Sequence, residues 1–247
     1  KDISALSKAV KFITESRSGY GGFGSTQGTI LALKALTEYT KFAKRTEEEG
    51  TIEVYVGPKM VERVSYDAGQ QGSISISGLE KYLRSGINKI RVKYVNVKSP
   101  LPYSVAIDYH TSLPPSSPQC NVDIDAHLMQ KSCRVGETVR MNTTLKNNKD
   151  NGQPMTMAVI GIPSGLSPQP WQLKELQEKG QVDFYEISGN NVVFYYRDMA
   201  PKEEHIIHLD LKAEVPGQFD APASAGYLYY TNEYKCWVSA GRITIKK

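Results

Sequence analysis

Apolar residues recur at three- and four-residue spacing at the start of the chain. Ile3, Leu6, Val10 and Ile13, with Ala9 and Phe12 beside them, make one stripe and predict a helix. Ser18-Gly19-Tyr20-Gly21-Gly22-Phe23-Gly24 breaks it, because glycines lend backbone freedom and no helical support. Ser25 or Thr26 is a good N-cap for a second helix running to about Lys44. There Ile30, Leu33, Leu36 and Tyr39 fall on one side, while Ala32, Ala35 and Ala43 allow close approach of a neighbour. Two such helices cannot close a core, so their apolar faces call for partner helices that this chain does not contain.

From Gly50 the period switches to two. Ile52, Val54 and Val56 alternate with polar residues, as do Ile74 and Ile76; Ile90, Val92, Tyr94 and Val97 follow, then Val105, Ile107 and Tyr109. Four or five strands are expected between residues 51 and 110. Leu113-Pro114-Pro115-Ser116-Ser117-Pro118 reads as a stiff polar connector and a domain boundary. Beyond it, strands are expected at 121–129, 138–146, 155–162, 181–187, 191–197, 205–213, 223–231 and 235–246, with turns spaced as in a β-sandwich. One helix interrupts them at Trp171–Lys179, with Pro170 near N1 and Gly180 ending it. Leu173 and Leu176, with Trp171, would lie against the sheet.

Composition adds little to this picture but excludes several classes. The 247 residues are 40% hydrophobic and 23% charged, as in an ordinary globular chain. No run of about 18 apolar residues occurs, which excludes a membrane-spanning helix. The 30 Lys+Arg against 26 Asp+Glu are spread along the chain, without the clustering that nucleic-acid binding needs. Fifteen tyrosines against six phenylalanines suit half-buried strands. The start Lys1-Asp2-Ile3 reads as a processed piece or part of something longer.

Apparent chemical motifs fail on context. Gly19–Gly24 fits the letters of G-x-G-x-x-G, but the dinucleotide mechanism needs a strand before it and here a helix precedes. No Lys precedes Ser25 to make a phosphate-cradling loop, and Gly24-Ser25-Thr26-Gln27-Gly28 is not G-x-S-x-G. His205 and His208 stand three apart in a strand and point to opposite faces, so they cannot share a metal; His110 and His127 stand alone. Glu47-Glu48-Glu49 is a solvated run. No active site, cofactor or metal site is expected.

Cys120, Cys133 and Cys236 are an odd number without zinc spacing. Cys120 and Cys133 straddle a strand of about nine residues, roughly 30 Å long, which is too far for the Cα separation of about 7 Å that a disulfide allows. Cys236 can pair with either of the others, leaving the third thiol free or bonded to another chain. Asn142-Thr143-Thr144 is an N-glycosylation acceptor on a polar strand–turn stretch. These features favour a secreted protein.

Residues Gly22-Phe23-Gly24-Ser25-Thr26-Gln27-Gly28-Thr29-Ile30-Leu31-Ala32-Leu33-Lys34-Ala35-Leu36 resemble the last helical hairpin of the thioester domain in the alpha-2-macroglobulin and complement family. Ile160-Gly161-Ile162-Pro163-Ser164-Gly165-Leu166, the Trp171–Lys179 helix and Ala225-Gly226-Tyr227-Leu228-Tyr229-Tyr230 look like that family's C-terminal receptor-binding domain. The resemblance implies a mainly β chain with N-terminal helices. Residues 1–48 would end an α/α thioester-type domain, 49–114 would be the return half of a CUB-like β domain, and 115–247 the macroglobulin-type receptor-binding sandwich with one helix. The family's Cys-Gly-Glu-Gln thioester motif is not in this chain.

Family receptor recognition uses lysines one turn apart on the sandwich helix. Lys174 matches one by position, but the other falls near Gln169-Pro170, where there is no Lys. Lys179 follows five residues on, turned roughly 140° from Lys174. The resemblance implies a non-enzymatic, secreted C-terminal fragment contributing to protease trapping or opsonin-type defence. Its partners would be the upstream part of the parent protein, a target protease, and a cell-surface receptor or another subunit joined through an unpaired cysteine. A structural or adhesive assembly protein on the same scaffold is the alternative, and an enzyme built on the α/α helices is the weakest reading.

Overall fold

The computed structural model describes residues 3–43, 46–98 and 101–247. Lys1, Asp2 and Lys44, and the side chains of Ile3 and Ala43, lie outside what is described. By its contacts the chain divides into two units, one of residues 1–17 and 22–107, the other of 18–21 and 108–247.

In the first unit, α1 spans Ile3–Glu15 and α2 spans Thr26–Ala43. Ser25 rather than Thr26 is the cap: its Oγ accepts from the Gly28 N–H at 3.1 Å, satisfying one of the free donors of the first turn. On α2 the covered side is Ala32, Leu36 and Tyr39, whereas Ile30, Leu31 and Leu33 face outward. The expected alignment of Ile30 and Leu33 with the packed stripe is therefore corrected. On α1, Phe12 is 72% exposed.

The same unit holds a three-stranded antiparallel sheet of order β2-β1-β3, with β1 Gly50–Val56, β2 Lys59–Tyr66 and β3 Ile90–Val95. β2 was not expected, because Glu62-Arg63 and a register break between Val54 and Tyr55 hide its alternation. Ile52, Val54 and Tyr66 are buried on one face. Ile74, Ile76 and Leu79 cover them, but as irregular chain and not as the expected strand. The Val105–Ile107 stretch forms no strand either: Tyr103, Val105 and Ile107 are exposed, Ile107 by 63%. Beneath this cover lies a cavity of about 600 Å³ lined by Val54, Ile74, Val92, Tyr94, Leu101 and Val105 among others.

On the opposite face Glu53 is held by Tyr55, whose hydroxyl donates to it at 2.8 Å, and by Arg63 and Lys93 from the flanking strands. The Tyr55 hydrogen bond and then the two cations hold its carboxyl below the usual range, despite burial acting the other way.

The second unit is a β-sandwich. One sheet has order β14-β13-β7-β10-β9, built from β7 Gln153–Gly161, β9 Phe184–Ser188, β10 Asn191–Met199, β13 Ala223–Leu228 and β14 Cys236–Ser239. The facing sheet, β4-β6-β11-β8, uses β4 Val122–Leu128, β6 Thr138–Asn147, β8 Leu166–Pro168 and β11 Glu204–Ala213. A third, β12-β15-β5, closes one end with β5 Ser132–Arg134, β12 Gly217–Asp220 and β15 Arg242–Lys246. Met141, Ile160, Phe194, Leu209, Leu211 and Ile243 are among the wholly buried side chains of its core.

Short strands β5, β8 and β12 escape periodicity, and the expected strand 235–246 is two. Gly241, at φ +90°, turns the chain so that β14 and β15 enter different sheets. The expected strand 223–231 stops at Leu228 and closes in a 3-10 turn, Tyr229–Thr231. The proline-rich stretch is pinned to the sandwich: the Ser117 N–H donates to Lys235 O and the Trp237 N–H to Ser116 Oγ, both at 2.8 Å. No helix among the described residues is long and apolar enough to cross a membrane.

Candidate functional site on the helix-bearing face of the sandwich

The helix α3, Pro170–Glu178, begins with Pro170 in its first turn, where the missing N–H costs nothing, and is followed by Gly180 in the left-handed region at φ +68°. Leu173 and Leu176 are buried, as their spacing predicts. Trp171 is not: it is 61% exposed, because it stands two residues before Leu173, roughly 200° round the helix, and faces away from the buried stripe. Gln172 docks the helix to an open stretch of β11. Its Nε2 donates to His208 O at 3.1 Å and its Oε1 accepts the Asp210 N–H at 2.9 Å, so a side-chain amide takes the place of a neighbouring strand.

Lys174 and Lys179 both stand in water and are paired within the helix, Lys174 with Glu178 at 3.4 Å and Lys179 with Glu175. Lys179 is the residue after the last helical turn. The structure does not bring the two lysines together.

The outer face of the four-stranded sheet is a polar lattice. His127, Asn142 and His208 stand in one row across β4, β6 and β11. His127 is not alone: its Nδ1 bonds Asp125 at 2.9 Å. His208 Nδ1 donates to Asn142 Oδ1 at 2.8 Å, and Asn142 Nδ2 meets Met129 Sδ at 3.0 Å. The sequon asparagine is thus in the middle of a central strand and not at a turn, and a glycan there has to displace Met129. His205 lies on the other side of β11, stacked on Tyr196 with ring centres 4.3 Å apart, so the two histidines do diverge. Among the described residues no group of three or more His, Cys, Asp or Glu converges to hold a metal.

Next to this row Arg140 grips Asp210 with two parallel hydrogen bonds, Nε–Oδ1 at 2.7 Å and Nη2–Oδ2 at 2.9 Å. Nothing in the sequence signals this pair. Its hydrogen bonds, and then the charges of Arg140 and His208, hold the Asp210 carboxyl below its ordinary value. The folded-state pKa is depressed, so the stabilisation is fully present above the unfolded carboxyl's value and is lost as pH falls through the folded one. Urea unfolding between about pH 2 and 4 should therefore show a shallower acid loss of stability in Asp210→Asn than in the parent chain.

The three cysteines are thiols in this structure. Cys133 sits on β5, buried and opposite Ile245 of β15, and burial raises its pKa. Cys120 and Cys236 are neighbours: the Cys120 thiol donates to Val122 O at 3.2 Å and to Gly226 O at 3.5 Å, and Gly226 pairs with Cys236 across β13 and β14. Burial pushes the Cys120 thiol up, and Cys236 lies close enough to add to this. An intermolecular bond through Cys133 would require the strand to leave the core, so of the linkages the sequence allows this one is not supported.

Residues 151–239 match the A-macroglobulin receptor binding domain and residues 1–39 the A-macroglobulin TED domain, together more than half of the chain. Complement C3 of Lethenteron camtschaticum is 23% identical over 96% of this chain. The chain spans 16% of that relative's length. Among solved structures, a mutant Salmonella alpha-2-macroglobulin superimposes with TM-score 0.52 at 14% identity over 87% of this chain and 14% of its own. The native conformation of Escherichia coli alpha-2-macroglobulin gives 0.51 at 14% identity over 87% of this chain and 14% of its own. Such likenesses speak to fold alone. With the two domain matches in sequence order on a mainly β chain with N-terminal helices, the chain belongs to the A-macroglobulin and complement family, in the region of its TED and receptor-binding domains.

Proposed function

We propose that these residues are the non-catalytic, mechanical and docking end of a secreted macroglobulin-type protein engaged in protease trapping or opsonin-type defence. In this reading residues 1–48 close a thioester-type helical domain and 49–114 complete a CUB-like β domain. Residues 115–247 form the terminal docking sandwich, with Lys174 and Lys179 offered to a receptor and Asn142 as a glycan acceptor.

The observation that carries the reading is the unfinished apolar surface of the first unit. Phe12, Ile30, Leu31 and Leu33 are exposed on its helices, and the cavity of about 600 Å³ lies under a cover whose Val105 and Ile107 join no sheet. Apolar area on this scale, with unpaired backbone beside it, calls for a covering polypeptide. The sandwich shows no such deficit in its core and can serve as a self-sufficient module. In this reading Cys120 and Cys236 form its disulfide in an oxidising compartment.

Purified chain 1–247 is expected to bind a hydrophobic dye. It should lose that binding on co-expression with upstream polypeptide of its parent, which co-purifies. Peptide mapping without reductant should link Cys120 to Cys236 and leave Cys133 alkylated only after unfolding. A monomer that binds no dye and melts in one sharp step overturns the reading. Deep exposed apolar surface is not expected of the alternative, an adhesive protein with a finished fold.

A further inference from the structure

Five cations gather at one end of the three-stranded sheet with almost no compensating charge. Lys59 begins β2, Arg91 lies on β3, and Lys81, Arg84 and Lys89 come from the chain between. All five are exposed, and none has a carboxylate within ion-pair distance among the described residues. The nearby acids are already committed or peripheral: Glu53 is taken by Arg63 and Lys93, Glu62 by the Arg63 N–H, and Glu80 alone stands in water beside Lys81.

The cluster is held in place. The ammonium groups of Lys59 and Lys81 lie 4.9 and 5.2 Å from the centre of the same Tyr82 ring, two like charges sharing one quadrupole. The Arg91 guanidinium lies 4.4 Å from the Tyr55 ring centre. Asn88 clamps the loop before β3, accepting the Arg84 N–H at 2.9 Å and donating to Arg84 O at 2.7 Å and Gly86 O at 3.0 Å. The Gly57 N–H donates to Lys89 O at 2.8 Å, tying the β1–β2 turn to the same loop. Like charges kept together on ordered backbone, without counter-charges, raise the local potential and favour an anion with several closely spaced charges.

We propose that this end of the sheet binds a sulfated polysaccharide. Lysine and arginine at fixed spacing suit repeated sulfate groups, with release of the polymer's counterions as the driving term. A single-stranded nucleic acid also needs open aromatic faces for its bases, and here Tyr55 and Tyr82 are already covered by the protein's own cations. A lipid surface needs more apolar area than Ile87, the one fully exposed large hydrophobe of this loop, provides.

Binding of full chain 1–247 to immobilised heparin is measured across salt, beside unsulfated hyaluronan, a single-stranded 20-mer DNA and vesicles rich in anionic lipid. Heparin should bind most tightly. Lys81→Glu/Lys89→Glu should weaken it at least about tenfold, and Lys81→Gln/Lys89→Gln should lower the salt slope by about two. Lys81→Arg/Lys89→Arg should retain binding. Lys149→Glu/Lys212→Glu, an equal charge change at exposed lysines of the sandwich, should leave heparin affinity within about twofold. Equal loss in this control, no loss in the first pair, or tighter binding of DNA or vesicles overturns the proposal, with circular dichroism reporting that each variant is folded.

Discussion

Phe194→Ala is expected to destabilise the sandwich by about 3–5 kcal/mol, lowering its melting temperature by roughly 10–20 °C. Phe194 is 1% exposed on β10 and shares its surroundings with Ile124, Leu145, Ile160, Tyr196 and Ile207, contributed by both principal sheets. Truncation removes the largest apolar group joining the layers and leaves a space that the paired strands cannot close, since their hydrogen bonds fix the sheet spacing. Both tryptophans, Trp171 and Trp237, belong to the second unit, so their fluorescence during urea unfolding reports the sandwich and its helix α3 without α1 and α2. A loss below about 1 kcal/mol would show that the facing sheets are not packed through this residue.

Asn147→Asp should destabilise by a similar amount, about 3–5 kcal/mol near neutral pH, through a different cause. Asn147 is 0% exposed at the end of β6. Its Nδ2 donates to Asn151 O at 2.9 Å and Ala200 O at 2.8 Å, and its Oδ1 accepts the Lys149 N–H at 2.9 Å. These bonds stitch two turns at one end of the sandwich. The substitution keeps the shape but points a second oxygen at two carbonyls and buries a charge.

The new carboxyl then has a folded-state pKa above its unfolded value of about 3.9. Below that value it is protonated in both states and the charge penalty is absent. The penalty grows as pH rises and levels off above the folded pKa. Tryptophan-detected urea curves should therefore show a larger deficit against the parent chain at pH 7 than at pH 3.5. The same deficit at both would mean that water reaches the site.

The two variants also separate the parts of the molecule. Both residues belong to the second unit, so dye binding by the exposed helices of the first unit and its heparin affinity should persist while the sandwich weakens. Loss of all three together would mean that the two units unfold as one.

Much of this molecule is readable along the chain, for reasons that can be named residue by residue. Leu173 and Leu176 fall on one side of a helix bounded by Pro170 and Gly180, and both are buried. The alternation at Val122, Ile124 and Ala126, or at Val139 and Met141, follows the pleat, and those residues line the core. The resemblance to the macroglobulin family rests on short linear segments of the same kind. Gly241 is not legible as a break: the alternation runs on through 235–246, and only its left-handed turn shows where two strands part into different sheets.

Period and punctuation are local properties, and they are what the sequence alone determined: a helical start, a strand-rich remainder, the helix Pro170–Glu178 and the family. Partnership is not local. Only the tertiary structure decided that Ala32 and Leu36 pack while Leu33 does not, that Ile74 and Ile76 cover a sheet without joining it, and that Cys236 meets Cys120. It alone brought Arg140 to Asp210 and set five cations together. Such choices depend on which distant surface each group meets, and burial and hydrogen bonding are fixed only when the layers close.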